Sequence, residues 1–257
     1  MSSTTNKHLR RRAVVKAGTV LALAAGSACG GTGDTATAAV IDPGDGGTYR
    51  PAIDPAEFVD RIDNPYLPLG VGARWVYVGT SDGETERVEV EVLEERKVVA
   101  GISATVVRDR VFVAGELAED TFDWFAQDRA GTVWYLGESV RDYENGRVVS
   151  TEGSFEVGVD GALPGVVMPA RPVVGDAYRQ EFYRGQAEDM AQVLRVDGRR
   201  SVPFGSFDRV VVTRDWNPLE PVPIEEKSYA PGVGLIHEVA TRGPAATIEL
   251  VEFVPGR

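Results

Sequence analysis

The chain has 257 residues and a formal net charge of −12, with 39 acidic and 27 basic side chains. An acidic surface repels nucleic acid and anionic headgroups, so no nucleic-acid partner is expected. With one cysteine and two histidines, the chain can form no internal disulfide, and zinc sites built from cysteine and histidine are excluded. We expect no metal site and no cofactor.

Residues 1–28 have the layout of an export signal. They carry five basic residues and no acidic one, followed by a run of small apolar residues from Ala17 to Ala28. That run is much shorter than the roughly 20 residues needed to cross a bilayer. Arg11 and Arg12 precede two apolar residues and Lys16, as in the twin-arginine consensus. The alternative is an ordinary basic segment of a general export signal.

The signal ends at Gly26-Ser27-Ala28-Cys29, which resembles a bacterial lipobox and departs from it at Gly26, where leucine is usual. Cys29 is the sole cysteine. We predict that it is lipidated and that the protein is held at the membrane of a bacterial cell envelope, on the extracytoplasmic side. The alternative is an incidental cysteine with cleavage elsewhere. Residues 29–55, rich in Gly, Thr, Ala and Asp, are predicted to be a flexible tether.

Residues 56–257 are predicted to form a single β-rich domain. Phe58 and Ile62 have helical spacing, which predicts one short helical turn before Asn64-Pro65. After that, alternation with period two dominates: for example, Val88, Val90 and Val92 alternate with charged residues.

Short turn signals separate these strand-like runs. Paired residues ending in glycine lie at Asp82-Gly83, Ala114-Gly115, Ala130-Gly131, Asn145-Gly146 and Asp197-Gly198. The predicted fold class is therefore all-β and mainly antiparallel: a curved meander sheet, an open barrel or half-barrel, with little helix. The Gly- and Pro-rich segment 155–176 interrupts the pattern, which is typical of a functional loop or a packed crossing between sheets.

Two clusters combine carboxylates with aromatic residues, the first in residues 119–138 and the second in residues 178–189. In the first, a hairpin turning at Asp128 to Gly131 places Asp123 and Phe125 on one face and Trp124 on the other. We predict that this hairpin and the 153–165 loop form the wall of a ligand site. The predicted ligand-binding residues are Asp123, Trp124, Asp128, Trp134, Tyr135, Glu138 and Asp160. The alternative is that the aromatic residues fill the core and the carboxylates are exposed to solvent on the surface.

We favour a non-catalytic binding protein of the envelope, whose concave sheet face or 156–172 loop holds a ligand or partner. The expected ligand is neutral, polyhydroxylated or cationic, and no catalytic residue is assigned. The alternative is a hydrolase that acts on a glycan or similar extracytoplasmic polymer through a pair of carboxylates. Its candidates are Asp123 or Glu138 in the first cluster and Glu181 or Glu188 in the second. His237 lies in a strand-like segment, and we interpret it as a buried structural residue with its hydrogen bonds satisfied.

Several stretches resemble a family of bacterial exported proteins and lipoproteins without assigned activity. They lie within residues 64–239: NPYLPLGVGARWVY, ELAEDTFDWFAQDRAGTVWYLGE, STEGSFEVGVDGALPG and YRQEFYRGQAEDMA. The later stretch VPFGSFDRVVVTRDWNPLEPVPIEEKSYAPGVGLIHEV is similar to the closing strands of extracytoplasmic β-proteins. The resemblance implies a curved antiparallel sheet like the open barrels of lipoprotein carriers, and it implies no reaction.

Overall fold

A computed structural model describes residues 49–220 and 222–257. The predicted export signal, Cys29 and the predicted tether up to residue 48 lie outside the described residues. The described chain contains one 3₁₀ turn, Pro55–Glu57, and sixteen strands. These are β1 (Phe58–Val59), β2 (Arg74–Ser81), β3 (Glu84–Val99), β4 (Ile102–Val113), β5 (Glu116–Asp128), β6 (Val133–Ser139), β7 (Asp142–Glu144), β8 (Arg147–Ser150), β9 (Phe155–Glu156), β10 (Gly165–Met168), β11 (Ala177–Arg179), β12 (Met190–Val202), β13 (Gly205–Trp216), β14 (Ile224–Ala230), β15 (Gly234–Arg242) and β16 (Ala246–Val254).

The strands form one large open antiparallel sheet, which confirms the predicted fold class. The order across the sheet is β10-β6-β5-β4-β3-β2-β16-β15-β14-β13-β12-β11, and the short strands β1, β7, β8 and β9 pair beside this path. Neighbours in the sheet are mostly neighbours in the chain, as in a meander. Within the described ranges, no helix is long and apolar enough to span a membrane.

The hairpin turns explain much of this order. Asp82-Gly83, Ala114-Gly115 and Asn145-Gly146 have positive φ at both residues, the conformation that a tight two-residue hairpin requires. Ala100-Gly101 forms a turn of the same kind between β3 and β4, which the sequence analysis missed.

The prediction of a turn at Asp197-Gly198 is wrong, because both residues lie inside β12. The register between β12 and β13 shifts on either side of Gly198. A β-carbon at Gly198 would lie 2.9 Å from the carbonyl oxygen of Val210. Glycine therefore permits a close approach of two strands at an irregularity rather than a chain reversal.

Two further expectations need correction. The helical turn is confined to Pro55–Glu57, where the side chain of Asp54 accepts a hydrogen bond from the Ala56 amide. Phe58 instead starts β1, which pairs with β5, so the expectation that Phe58 and Ile62 share a helix is wrong. The segment 155–176 is not one irregular loop, since it contains β9 and β10.

The sheet curves so far that its two edge strands, β10 and β11, come together. At this seam the amide of Leu163 donates a hydrogen bond to the carbonyl oxygen of Phe182, at 2.8 Å. Tyr49 covers the seam: its hydroxyl donates to the carbonyl oxygen of Pro164 at 2.7 Å, and its ring packs edge-on against Phe182. The curvature brings residues that are far apart in the chain onto one inner face.

Candidate functional site

The first part of the inner face lies on β5 and β6. Asp123 is the direct cross-strand partner of Glu138, and directly opposed residues in an antiparallel pair project from the same face. The hydroxyl of Tyr135 donates a hydrogen bond to Asp123. The ring of Tyr135 stacks on Phe125 with centroids 4.6 Å apart and meets Phe155 of β9 edge-on. Two carboxyl groups thus lie beside an aromatic surface.

The second part lies on β13, β14 and β15. Asp215 and Glu225 are cross-strand partners, as are Lys227 and Glu238. The Nζ atom of Lys227 lies 3.6 Å from Asp215, 4.0 Å from Glu225 and 3.5 Å from Glu238. A single buried ammonium group is therefore shared by three carboxylates.

The seam joins these two parts. Glu181 follows β11, and its backbone amide and that of Gln180 both donate to the carbonyl oxygen of Asp189. The carboxyl group of Glu181 interacts electrostatically with Asp189, Glu138 and Asp123. We call Asp123, Glu138, Glu181 and Asp189 the interior acidic cluster.

Burial controls the ionisation of this cluster. It raises the pKa of Asp123 to about 7, against the lowering effect of the Tyr135 hydrogen bond. It also raises the pKa of Asp189 to about 7, although the charge of Lys227 acts in the opposite direction. The pKa values of Glu138 and Glu181 lie well above the usual range, because of burial first and neighbouring carboxylates second. At neutral pH the cluster therefore retains protons.

Several polar atoms beside the cluster are buried without a hydrogen bond. They are Oδ1 of Asp189, Oδ2 of Asp215, both carboxylate oxygens of Glu225 and the hydroxyl of Tyr178. Leaving such a group unpaired costs about 1–3 kcal/mol. Asp123, Glu138 and Glu181, by contrast, are only partly buried, so solvent reaches this part of the inner face.

Three of the seven predicted site residues come together here: Asp123, Tyr135 and Glu138. Trp124 projects from the opposite face, as its alternation with Asp123 predicts, and the Nζ atom of Lys97 lies 3.9 Å from its ring centroid. Asp160 is exposed, with a positive φ of 49°.

The remaining predicted pair has a local structural role. The indole of Trp134 donates a hydrogen bond to Asp128 at 2.8 Å, and Asp128 also accepts one from the amide of Thr132. This arrangement closes the β5–β6 hairpin. Both tryptophans of the predicted site are buried, each with 8% of its surface exposed, so neither offers a ring to a ligand in this arrangement.

Glu181 and Glu188 have different environments. Glu188 accepts a hydrogen bond from the Gly185 amide and pairs with Arg179, which assigns it to the local structure after β11. Glu181 belongs to the interior acidic cluster. No sequence pattern indicated Asp215, Glu225 and Lys227, because charged side chains in a strand are typical of a solvent-exposed face.

His237 is buried, as predicted, but its hydrogen bonds are not all satisfied. It is the cross-strand partner of Ser228 and is 7% exposed, and its Nδ1 atom has no hydrogen bond. Burial, and next the positive charge of Arg200, lower its pKa to about 4. The imidazole is therefore neutral at physiological pH.

The hollows at the outer surface lie away from the cluster. One of about 420 Å³ is lined by residues 206–209 and Pro231, and one of about 200 Å³ lies between the segment 61–63 and the C-terminal residues. Neither includes a member of the interior acidic cluster. Within the described part of the chain, no three Asp, Glu, His or Cys side chains are placed to hold one metal ion.

Comparisons with known proteins find fold-level likenesses only. No protein-family model matches the chain, and a search of curated proteins finds no match. One solved structure, described as an exported protein with a YmcC-like fold from Bacteroides fragilis, is 13% identical with a TM-score of 0.43 and is covered over 98% of its length. Another, described as a lipoprotein from Parabacteroides distasonis, is 11% identical with a TM-score of 0.41 and is covered over 99%. Each alignment covers 74% of this chain.

Both descriptions agree with the resemblance noted in the sequence. At these TM-scores, however, the likeness is too loose to transfer a property to this chain.

Proposed function

We propose that this chain is an exported protein of the bacterial cell envelope, anchored by lipid at Cys29, whose β domain binds a ligand on the inner face of its sheet. The first half of this proposal rests on the basic segment, the short apolar run and the single cysteine at the end of that run. The second half rests on the interior acidic cluster.

The convergence of four carboxyl groups from distant segments is the observation that supports binding most strongly. Burying a charged group without a partner lowers the free energy of unfolding. A sheet stabilised only by its core would have apolar residues at the positions of Asp123, Glu138, Glu181 and Asp189. The partial exposure of three of them gives a ligand access. The stacked rings of Phe125 and Tyr135 add a flat apolar surface.

The chemistry of this surface selects the class of ligand. Carboxyl groups at partial protonation accept and donate hydrogen bonds, and they repel anions. The site therefore suits a neutral polyhydroxylated or a cationic ligand. The 153–165 loop contributes Phe155, which contacts Tyr135.

A thermal-shift panel tests this proposal. Neutral oligosaccharides, organic amines and anionic sugars would be added to the mature protein and to the variant Glu138→Gln. We expect at least one neutral or cationic compound to raise the melting temperature of the parent and not that of the variant. Glu252→Gln, on the exposed end of β16, removes one acidic group elsewhere and should respond like the parent. Equal shifts in all three proteins would contradict an inner-face site.

One observation favours a second candidate, a hydrolase that acts on a glycan. Directly opposed residues in an antiparallel pair have β-carbons about 4.5–5.5 Å apart, so Asp123 and Glu138 present two neighbouring carboxyl groups, the pair of groups that glycosidases of this kind use. Burial raises the pKa of both groups, so either one could carry the proton that is donated while the other is ionised. Release of reducing ends from envelope polysaccharides by the parent, lost in both Asp123→Asn and Glu138→Gln, would support this candidate. If the parent releases no reducing ends, the hydrolase candidate is rejected and ligand binding is the remaining proposed function.

A further inference from the structure

We propose that the ligand of the inner face is an extended organic cation with two or more protonated amines, held with one ammonium group at Asp123 and Glu138 and another at Glu181 and Asp189. This inference rests on the proposed function, since it names the ligand class of the same site. It is carried by the balance of charges, by unpaired buried acceptors and by the spacing of the carboxyl groups.

The charge balance of the inner face is strongly negative. The interior acidic cluster and the part of the inner face on β13, β14 and β15 together contain seven carboxyl groups and one amine, that of Lys227. The carboxyl groups are those of Asp123, Glu138, Glu181, Asp189, Asp215, Glu225 and Glu238. Lys227 contacts only the last three of these groups within 4.0 Å. The charged groups that act most strongly on Asp123 and Glu138 are other carboxylates, Glu119 among them. The half of the inner face on β5 and β6 therefore has no cation of its own among the described neighbours.

The second observation is independent of charge. Asp189 is 9% exposed and Glu225 is 1% exposed, yet Oδ1 of Asp189 and both oxygens of Glu225 have no hydrogen bond. Electrostatic interaction between Glu225 and Asp189 places these acceptors near one another. A ligand rich in N–H groups would supply hydrogen-bond donors to these acceptors. One primary ammonium group has three N–H donors.

Lys227 shows how this sheet holds an ammonium group. Its Nζ atom lies 3.5–4.0 Å from three carboxylates, one on its own strand and one on each neighbouring strand. Asp123 and Glu138, as cross-strand partners, offer a second such arrangement of opposed carboxyl groups. A primary ammonium group on a ligand would repeat there the contacts that Lys227 makes within the protein.

The spacing of the carboxyl groups favours an organic cation over a metal ion. In the described residues no three of them converge on one point closely enough to coordinate a metal. Charges spread over several strands instead match a molecule with cationic groups at intervals. Asp123, Glu138 and Glu181 retain contact with solvent, so a flexible chain can reach them.

Isothermal titration calorimetry with spermidine as the probe tests the inference at constant ionic strength. Butylamine supplies a single amine, sorbitol supplies hydroxyl groups without charge, and calcium chloride supplies a divalent metal ion. The proteins are the mature parent, the double variant Asp123→Asn/Glu138→Gln and the control Glu252→Gln. We expect the double variant to bind spermidine at least about tenfold more weakly, as for the loss of charged hydrogen bonds, and the control to match the parent.

Proton release provides a second readout. Because burial holds protons on the cluster at pH 7, an incoming cation should displace them, and the binding heat should depend on the ionisation enthalpy of the buffer. Sorbitol should show no such dependence. Near-ultraviolet circular dichroism verifies that the variants are folded, and the single variants replace the double one if it is not.

The outcomes separate this inference from the proposed function. Spermidine binding that is unchanged in the double variant would reveal surface attraction and overturn the inference. Binding of sorbitol or a neutral oligosaccharide with loss in the double variant, but without spermidine binding, would overturn the inference and leave the proposed function standing. Binding of calcium alone would also contradict it. If no probe, neutral oligosaccharides included, binds to the parent, both proposals fail.

Discussion

The ionisation of Asp123, on the inner face, is expected to affect the stability of the fold. Burial raises its pKa from 3.8 to about 7, so its contribution to stability is full below about pH 4 and is lost as the pH rises through about 7. Asp123→Asn keeps an acceptor for the Tyr135 hydroxyl and removes the charge. We expect the substitution to raise the free energy of unfolding more at pH 8 than at pH 5, by about 1 kcal/mol or more.

Urea unfolding at both pH values measures this effect. Glu252→Gln removes a carboxylate that is exposed, and it should change the unfolding free energy by less than about 0.5 kcal/mol at either pH. A lower unfolding free energy for Asp123→Asn at pH 8 would show that the ionised carboxylate stabilises the fold.

Alternation along a strand predicted some of these residues and not others. It placed Asp123 and Phe125 on one face and Trp124 on the other, as observed. It did not reveal that Glu225 and Lys227 face inward, because charged residues in a strand usually mark its solvent side. Their burial depends on partners in β13 and β15 that no local pattern identifies.

Among the elements, the seam between β10 and β11 depends on Gly165. A β-carbon at this position would lie 1.8 Å from the carbonyl oxygen of Gln180, and neither backbone can yield without opening the seam. We expect Gly165→Ala to lower the free energy of unfolding by about 3 kcal/mol or more. Chemical denaturation is the measurement.

Gly205 provides the matched control, because a β-carbon there would meet only the ring of Phe207, at 3.6 Å. Gly205→Ala should change stability by less than about 1 kcal/mol. Equal effects of the two substitutions would mean that the close approach at the seam is not required.

The element scale was the most predictable from the sequence. Asp-Gly and Asn-Gly pairs located hairpins because their backbone preferences are local. Gly198 has the same sequence signal and lies within a strand, because its role is set by a neighbouring chain at Val210. The strand β10 was missed for a similar reason. Its glycine and the prolines on either side of it are typical of a loop, and its pairing with β6 depends on the curvature of the sheet.

At the scale of the whole molecule, we expect the ligand-free protein to lose stability as the pH rises. Burial raises the pKa of Asp123 and Asp189 from 3.8, and that of Glu86 from 4.5, to about 7. Between these values the folded chain binds more protons than the unfolded chain, so the unfolding free energy falls by up to about 1.4 kcal/mol per pH unit for each such group. These contributions are full below about pH 4 and are lost as the pH rises through about 7.

His237 acts in the opposite direction, because its pKa is lowered from 6.5 to about 4 and its contribution is lost as the pH falls through 4. Three carboxyl groups act against one imidazole, so the unfolding free energy is expected to be highest near pH 4 and to fall from there to about pH 7. The other groups that face these carboxyl groups are Ser81, Asp109, Glu119, Tyr135, Glu138, Glu181, Asp215, Asn217, Lys227 and Glu238. Melting temperatures between pH 4 and 9 provide the test, and a continuous rise from pH 5 to pH 8 would contradict the expectation.

The cellular location is also a property of the whole molecule. We expect Cys29→Ser, expressed with the complete signal in a bacterial host, to move the protein from the membrane fraction to the released or extracytoplasmic fraction. A radiolabelled fatty acid should be incorporated into the parent and not into the variant. A variant that stays at the membrane as fully as the parent would show that another feature anchors it.

The sequence could not predict that the two edges of the sheet meet. The two carboxylate–aromatic clusters were recognised separately, and their union follows from the meeting of β10 and β11 at Leu163 and Phe182. That contact links segments at opposite edges of the sheet. No periodicity within either segment indicates how far the intervening strands curve.

The most direct test of the inner-face site is a crystal structure of the mature protein grown with spermidine at pH 8. We expect electron density for the polyamine between Asp123 and Glu138 at one end and Glu181 and Asp189 at the other, with amine nitrogens within hydrogen-bonding distance of the carboxylates. Density only on the outer surface, with the four carboxyl groups hydrogen-bonded to one another and to water, would contradict it.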